Sequence, residues 1–220
     1  MRLPYWGISR RTMSQSGLEL IEAKTVKDVV SRAALSDESL GLVRGDLAPG
    51  PFLDLLLEHG HHLDAIRFLA QALVKRAAVW WALQCVTEIS GPELPAAKAK
   101  ALEAARAWVL DPSDDNRRAC WPAAEAAEIG SPAGCTAMAA FFSGGSLSLP
   151  NLPAVPPGEE FTGRMAAGAL MLAAVMKEPE KAPEKYAAFL RTGLEIADGK
   201  NLWPTPPRVP PAARPPMKKR

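Results

Sequence analysis

Apolar residues recur at helical spacing through most of the chain, and this periodicity restricts the fold more than any other feature. Val26, Val29, Val30 and Ala33 form one helical face, and similar faces follow as far as Asp198. The abundant alanines and leucines favour helix because their side chains lose little freedom on a helical backbone. β-branched residues never form an alternating run of strand length. We therefore predict an all-α fold.

Glycine, proline and capping residues divide this pattern into about eight helices. Thr25-x-x-Asp28 has the layout of a capping box and predicts a helix over 26–35, with residues 36–50 as a connection. Short turns between successive helices favour antiparallel neighbours in an irregular bundle. A short array of helical hairpins is the alternative, although no fixed-period repeat is present.

Serine, threonine and proline mark several of the later helix boundaries. Ser113 and Ser131 are predicted N-caps, and Thr162 is a predicted cap for the apolar helix that ends at Met176. Pro122 removes a backbone donor about eight residues into its segment, so it should bend or split that helix.

Charge is distributed unevenly along the chain. All 24 acidic residues lie within residues 17–198, whereas nine of the 26 basic residues lie outside it, so that this part has a net charge of −7. We predict a disordered basic leader over 1–16, a helical domain over 17–198 and a disordered proline-rich basic tail over 199–220. Because the excess cations lie outside the predicted domain, we expect no nucleic-acid partner.

Residues 147–157 contain four prolines, which exclude a helix and predict an extended segment over the surface, here called the strap. Before it stands Ser143-Gly-Gly-Ser146. This run lacks the Lys-Ser/Thr pair of a phosphate-binding loop and is interpreted as a helix stop with a flexible turn.

The cysteines and the hydropathy pattern indicate in which cellular compartment the protein is found. Cys85, Cys120 and Cys135 are an odd number with wide spacing, which is typical of buried reduced thiols rather than a disulfide framework. We therefore expect a cytoplasmic protein. The longest apolar run, residues 165–176, has twelve residues and is too short for a transmembrane segment.

All three histidines lie in one short stretch with two acidic residues: Glu58, His59, His61, His62 and Asp64. A metal site needs three or four ligands that converge in space. A glycine inside the stretch interrupts the helix, so the sequence does not determine which side chains converge. The alternative is a helix–helix junction in which His62 or Asp64 caps the second helix. We predict no catalytic residue, no cofactor and no bound metal, with a metal-binding module as the rival.

The paired tryptophans Trp80 and Trp81 point about 100° apart on a helix, so they cannot face one narrow seam. One should enter the core, and the other should reach a second packing surface or a partner, where an aromatic side chain is a good anchor. Burial under the strap is the alternative. The residues predicted to bind a partner are Trp80, Trp81, His62, Asp64, Phe141, Phe142 and Leu147.

Several motifs together resemble a family of uncharacterised bacterial proteins, over roughly residues 20–198. They are His62-Leu-Asp-Ala-Ile-Arg-Phe-Leu-Ala70, Ala78-Val-Trp-Trp-Ala82, Trp108-Val-Leu-Asp-Pro-Ser113, Asn116-Arg117-Arg118 and Phe141-Phe-Ser-Gly-Gly-Ser-Leu147. The resemblance implies a cytoplasmic helical domain associated with bacterial type VI secretion gene clusters. It supplies no catalytic residues.

These features favour a non-enzymatic interaction protein over an enzyme. We expect an adaptor, chaperone or accessory subunit whose partner is another protein, such as a component or effector of a type VI secretion apparatus. The rival hypothesis is a metal-dependent enzyme or metal-binding module centred on His59, His61 and His62. A third hypothesis is a membrane-surface protein that uses the basic tail, residues 199–220.

Overall fold

The computed structural model describes residues 18–149 and 151–204. The predicted leader, and the tail beyond residue 204, lie outside these described residues. Within them the chain forms ten α-helices and one 3-10 turn, and the β-structure found there is an isolated bridge between Ile21 and Leu73. The predicted all-α fold is confirmed.

The helices are named in chain order, and the 3-10 turn Pro179–Lys181 precedes the last of them. Their bounds are α1 Lys27–Ala33, α2 Asp37–Leu40, α3 Pro49–Glu58, α4 His62–Ala72, α5 Lys75–Ser90, α6 Ala96–Leu110, α7 Asp114–Ala126, α8 Pro132–Phe141, α9 Phe161–Met176 and α10 Ala182–Ala197.

Helix α9 lies at the centre of the fold and packs against α4, α5, α8 and α10. Small residues allow these close approaches. A Cβ atom on Gly163 would lie 2.8 Å from the carbonyl oxygen of Ala70 on α4. Helices α6, α7 and α8 pack on one another as a second group. Because α4 and α9 are in contact although four helices separate them in sequence, the fold is an irregular bundle and not a linear array of hairpins.

Two of the predicted caps are present, and they fix the start of neighbouring helices. The hydroxyl oxygen of Ser113 accepts a hydrogen bond from the backbone N–H of Asn116, and that of Ser131 accepts from Gly134. Both serines have extended backbone conformations, as N-caps require. These caps set the positions of α7 and α8.

Other local predictions were wrong. The predicted connection over 36–50 contains α2, capped by Ser36, and α3 already begins at Pro49. Pro122 does not split its helix, since α7 continues through it to Ala126. Thr162 is not a cap, because α9 begins one residue earlier and the buried Thr162 hydroxyl has no partner among the described residues.

Of the helices in the described part of the chain, none has both the length and the apolar character needed to cross a membrane. Helix α9 is the most apolar long helix, and its inner face is covered by four other helices.

Candidate functional site

Both paired tryptophans are buried within the described fold. Trp81 has no exposed surface, and its indole Nε1–H donates to the carbonyl oxygen of Phe189 on α10 at 2.7 Å. Trp80 is also buried, and its Nε1–H donates to the carbonyl oxygen of Asn201 at 2.8 Å. One ring enters the core and the other packs under the segment that follows α10. Neither ring is exposed in this arrangement.

The predicted residues Phe141 and Phe142 belong to a row of aromatic rings that links α7, α8 and α9. Ring centroids lie 5.1 Å apart for Trp121 and Phe141, 5.5 Å for Phe141 and Phe142, and 5.1 Å for Phe142 and Phe161. Such contacts are within the usual range of aromatic packing. Phe141 is buried, whereas Trp121 at the outer end of the row is 37% exposed. The row joins the core to the surface at Trp121.

A buried arginine fixes the chain where α8 gives way to the strap. Arg117 on α7 donates to the carbonyl oxygens of Phe141 and Ser146, at 2.8 and 3.0 Å, and to the carboxylate of Asp114 at 2.8 Å. Arg118 donates to the same carboxylate at 2.7 Å and to the carbonyl oxygen of Ser148 at 2.9 Å. We call Asp114, Arg117 and Arg118 the clasp.

The charged groups of the clasp stabilise one another. The hydrogen bonds from Arg118 and Arg117 lower the pKa of the Asp114 carboxyl below its ordinary value, so the carboxylate is ionised at neutral pH. The guanidinium of Arg117 is almost fully buried, and each of its donor groups has a partner. A buried cation of this kind is stable only because its donors are satisfied.

Gly145 is required where the clasp meets the turn. Its φ of +64° lies in the left-handed region, and a Cβ atom there would lie 2.8 Å from both Arg117 Nε and Asp114 Oδ1. The predicted glycine turn is therefore also the place where the clasp approaches the backbone most closely. The two motifs 116–118 and 141–147 are thus parts of one structural unit.

The strap is closed at its ends and exposed between them. The Leu147 N–H donates to the Val155 carbonyl oxygen at 2.8 Å, and the Val155 N–H donates to Ser146 Oγ at 3.0 Å. Leu149 and Leu152, which lie between these ends, are 65% and 54% exposed, and Val155 at the second end is 50% exposed. Leu147 itself, a predicted partner-binding residue, is partly buried against the core. The most exposed apolar side chains of the strap are therefore ones that the sequence prediction did not select.

The sequence contains a pattern that identifies these exposed residues. From position 149 the strap has the order Leu-Pro-Asn, Leu-Pro-Ala, Val-Pro-Pro, so an aliphatic residue precedes a proline every third residue. Residues 143–158 also contain no charged side chain. The Leu152 N–H donates to the Leu149 carbonyl oxygen at 3.0 Å, so the strap, which was predicted to be extended, turns between these two leucines. The pattern marks Leu149, Leu152 and Val155 as a group.

The histidines of the other candidate site make separate contacts. His59 Nδ1 lies 2.8 Å from the Leu55 carbonyl oxygen, and His61 Nδ1 lies 2.7 Å from Ser39 Oγ. Among the described residues, no group of three or more His, Cys, Asp or Glu side chains is placed to hold a metal ion. The geometry gives no support to the metal-binding alternative.

Asp64 is the buried centre of a polar junction between α2 and α4. Its Oδ2 accepts from the N–H and the hydroxyl of Ser36 and from the hydroxyl of Ser39, the hydroxyls at 2.6 Å each, and Oδ1 accepts from Arg67 at 3.1 Å. The structure therefore shows a helix–helix junction at residues 58–64, which was the alternative to a metal site. However, neither His62 nor Asp64 caps α4, whose N-cap is His61 without a side-chain bond.

Ser39, His61 and Asp64 contain the residue types of a hydrolytic triad in the wrong order. In a triad the histidine lies between the serine and the acid and takes the serine proton. Here Ser39 lies between the other two, bonds directly to Asp64 and is fully buried. This arrangement stabilises a helix junction and does not activate Ser39 as a nucleophile.

Replacing Asp64 by asparagine should lower the free energy of unfolding by about 2 kcal/mol near neutral pH, because bonds to a charged acceptor are lost. Burial raises the pKa of this carboxyl, but the bonds from Ser36, Ser39 and Arg67 lower it further, so that the folded pKa lies below the ordinary value of 3.8. The carboxylate thus stabilises the fold above pH 3.8, and this contribution is lost as the pH falls through the lower folded pKa.

Urea unfolding of the wild type and Asp64→Asn at about pH 7 and about pH 3 measures this difference. The gap between the two proteins should shrink at the lower pH. A gap of unchanged size at both pH values would show that the charge of Asp64 is not what stabilises the junction.

The three cysteines are free and buried, as predicted. Burial raises the pKa of each thiol, to about 12 for Cys120. A thiol with so high a pKa is protonated at neutral pH and is a poor nucleophile. The described cysteines therefore give no support to a thiol-based catalytic site.

The fold and the clasp define a helical bundle that presents an anchored, uncharged, proline-rich strap. The chain belongs to the DUF6931 family, a family of unknown function, which matches residues 52–197. This confirms the resemblance to an uncharacterised family. The matched span runs from α3 to the end of α10 and includes the clasp, the aromatic row and the strap. A search of curated proteins and a search of solved structures each find no match to the chain.

Proposed function

We propose that this protein is a non-enzymatic interaction module whose strap binds another protein. The observation that carries the proposal is the exposure of Leu149, Leu152 and Val155 on a segment fixed at both ends. Three neighbouring aliphatic side chains in water cost free energy that a partner's apolar surface would recover. In the role of an adaptor, chaperone or accessory subunit, the protein would offer this strap as its contact.

The anchoring of the strap supports binding because it lowers the entropic cost. Prolines restrict the backbone before any partner arrives, and the clasp fixes the first end of the strap at Ser146 and Ser148. The other end is held by the hydrogen bonds of Val155 to Leu147 and Ser146. A segment that is already ordered loses less freedom on association than a flexible loop does. The strap is therefore a preorganised ligand for a groove on another protein.

The charges near the strap favour a protein partner over a nucleic acid. Residues 143–158 have no charged side chain. The two arginines that contact this part of the chain, Arg117 and Arg118, are already bonded to Asp114 and to backbone carbonyl oxygens. Nucleic-acid binding requires cations that are free to contact phosphates.

We also propose that the partner is a component or effector of a bacterial type VI secretion apparatus. This part of the proposal is supported by the resemblance of the motifs at 62–70, 78–82, 108–118 and 141–147, and by that alone. The identity of the protein captured in the experiment below tests it separately from the binding role of the strap.

Capture from the source cells tests the role of the strap. We expect the tagged wild type to recover a stoichiometric protein partner. The double variant Leu149→Ser, Leu152→Ser should recover at least about 10-fold less, since two buried leucines contribute about 3 kcal/mol or more to an interface. Both side chains are exposed in the free protein, so its stability should change little.

A matched control replaces two other exposed aliphatic residues. Leu172 and Val175 are 36% and 45% exposed on α9, away from the strap in sequence. Leu172→Ser, Val175→Ser should recover the partner as the wild type does. Equal recovery by the strap variant, or loss only in the α9 variant, would contradict the proposed binding surface.

A further inference from the structure

An open cleft of about 360 Å³ lies between α2, α4 and α10, and it shares no residue with the strap. The residues of its lining that matter here are Glu38, His61, His62, Leu63, Pro183 and Tyr186. Its volume falls within the range of small-ligand sites. The hydrogen bonds that its polar groups already make show which of them can donate and which can accept.

The proton positions at the Asp64 junction show which nitrogen of His61 donates to Ser39. The Asp64 carboxylate can only accept, so Ser39 must use its single hydroxyl proton in the 2.6 Å bond to Asp64. Ser39 Oγ therefore has no proton left for His61, and the 2.7 Å contact requires that His61 donates from Nδ1. In a neutral His61, Nε2 is then the one acceptor of the ring, and His61 is part of the cleft lining.

The other polar groups of the cleft add acceptors and a negative charge. Glu38 has an exposed carboxylate with no ion pair among the described residues. Burial lowers the pKa of His62 below its ordinary value, so that this imidazole is neutral at pH 7. Arg67, the cation at the Asp64 junction, is already paired with Asp64. The cleft therefore combines one free carboxylate with imidazole acceptors.

We propose that this cleft binds the ammonium group of an alkyl amine, either a lysine side chain or a free aliphatic amine. An ammonium group has three donors and no acceptor, which complements the Glu38 carboxylate and His61 Nε2. Leu63, Pro183 and the Tyr186 ring supply apolar surface for the alkyl chain. An anion would meet Glu38 without a free cation to offset it.

Nuclear magnetic resonance titration of the full chain at about pH 7 tests this. The probes are n-butylammonium chloride, Nα-acetyl-lysine amide, and n-butanol with potassium chloride as the neutral control. We expect both amines to shift the His61 Nε2 and Tyr186 resonances saturably, in the millimolar range, and n-butanol to leave them unchanged. Tighter binding of the lysine compound would identify a lysine side chain as the source, and tighter binding of n-butylammonium a free amine.

Two charge variants on α2 sharpen the experiment. Glu38→Gln should weaken amine binding about 5-fold, the effect of one exposed ion pair of about 1 kcal/mol. Asp37→Asn removes a neighbouring charge outside the cleft lining and should leave the affinity unchanged. The proposal is overturned if neither amine gives a saturable shift, if n-butanol binds equally well, or if Glu38→Gln binds as the wild type does.

Discussion

Replacing Trp81 by alanine is expected to lower the free energy of unfolding by about 4 kcal/mol, the largest effect of any single change considered for this protein. The side chain has no exposed surface, and its Nε1–H satisfies the Phe189 carbonyl oxygen. The ring also lies against the backbone of α10, since a Cβ atom on Gly193 would lie 2.6 Å from Trp81 Cε2. Alanine would leave a cavity between α5 and α10 and remove the indole hydrogen bond that joins them.

Urea denaturation measures this loss, with Trp121→Ala as the control. Trp121 is 37% exposed and contacts mainly the edge of the aromatic row, so its replacement should cost about 1 kcal/mol. Equal losses for the two variants would contradict the placement of Trp81 in the core and of Trp121 at the surface.

Replacing Arg117 by methionine is expected to lower the free energy of unfolding by about 3 kcal/mol and to release the strap. Methionine fills much of the same volume but leaves the carbonyl oxygens of Phe141 and Ser146 without their donor. The turn at Gly145 then loses the contact that holds it. We expect faster cleavage within residues 147–157 by a broad-specificity protease, together with the lower stability.

Arg118→Met is the matched control for the clasp. Arg118 is partly exposed and bonds to Asp114 and Ser148, so its loss should cost about 1 kcal/mol or less. The strap should remain protected in this variant because Arg117 still holds Ser146. If Arg117→Met left both the unfolding free energy and the cleavage rate unchanged, the clasp would not be what anchors the strap.

Much of the fold follows from local sequence signals. The helical periodicity, the caps at Ser113 and Ser131 and the prolines of the strap each act within a few residues, where sequence spacing fixes geometry. Helix α2 was also within reach, because Ser36 followed by two acidic residues is a helix start. It was missed because glycines and a proline nearby favoured a connection.

The features of the structure that the sequence did not predict depend on contacts between residues far apart in the chain. Asp64 lies 28 positions from Ser36, and Trp81 lies 108 positions from Phe189. No local pattern shows that Asp64 joins α2 to α4, or that α10 and the segment after it cover the paired tryptophans. The exposed Trp121 and the buried Arg117 occupy neighbouring turns of α7, and no local pattern shows which of them is buried.

In the candidate site, too, some features follow from the local sequence and others only from the packing of distant helices. The strap was predicted to be extended from its prolines alone. Arg117 and Arg118 entered only as part of a motif that resembles a family. Their role becomes clear once α7 lies beside the end of α8, where both side chains reach the backbone at positions 141–148. The exposed leucines could have been found from the three-residue spacing of aliphatic residue and proline.

Hydrogen–deuterium exchange of the full chain, free and bound to the captured partner, tests the central claim most directly. If the strap is the binding surface, the partner should slow exchange in the peptides that cover residues 147–158. Exchange in α2 and the α9 C-terminus should stay the same. Protection confined to other elements, with residues 147–158 unchanged, would contradict the account.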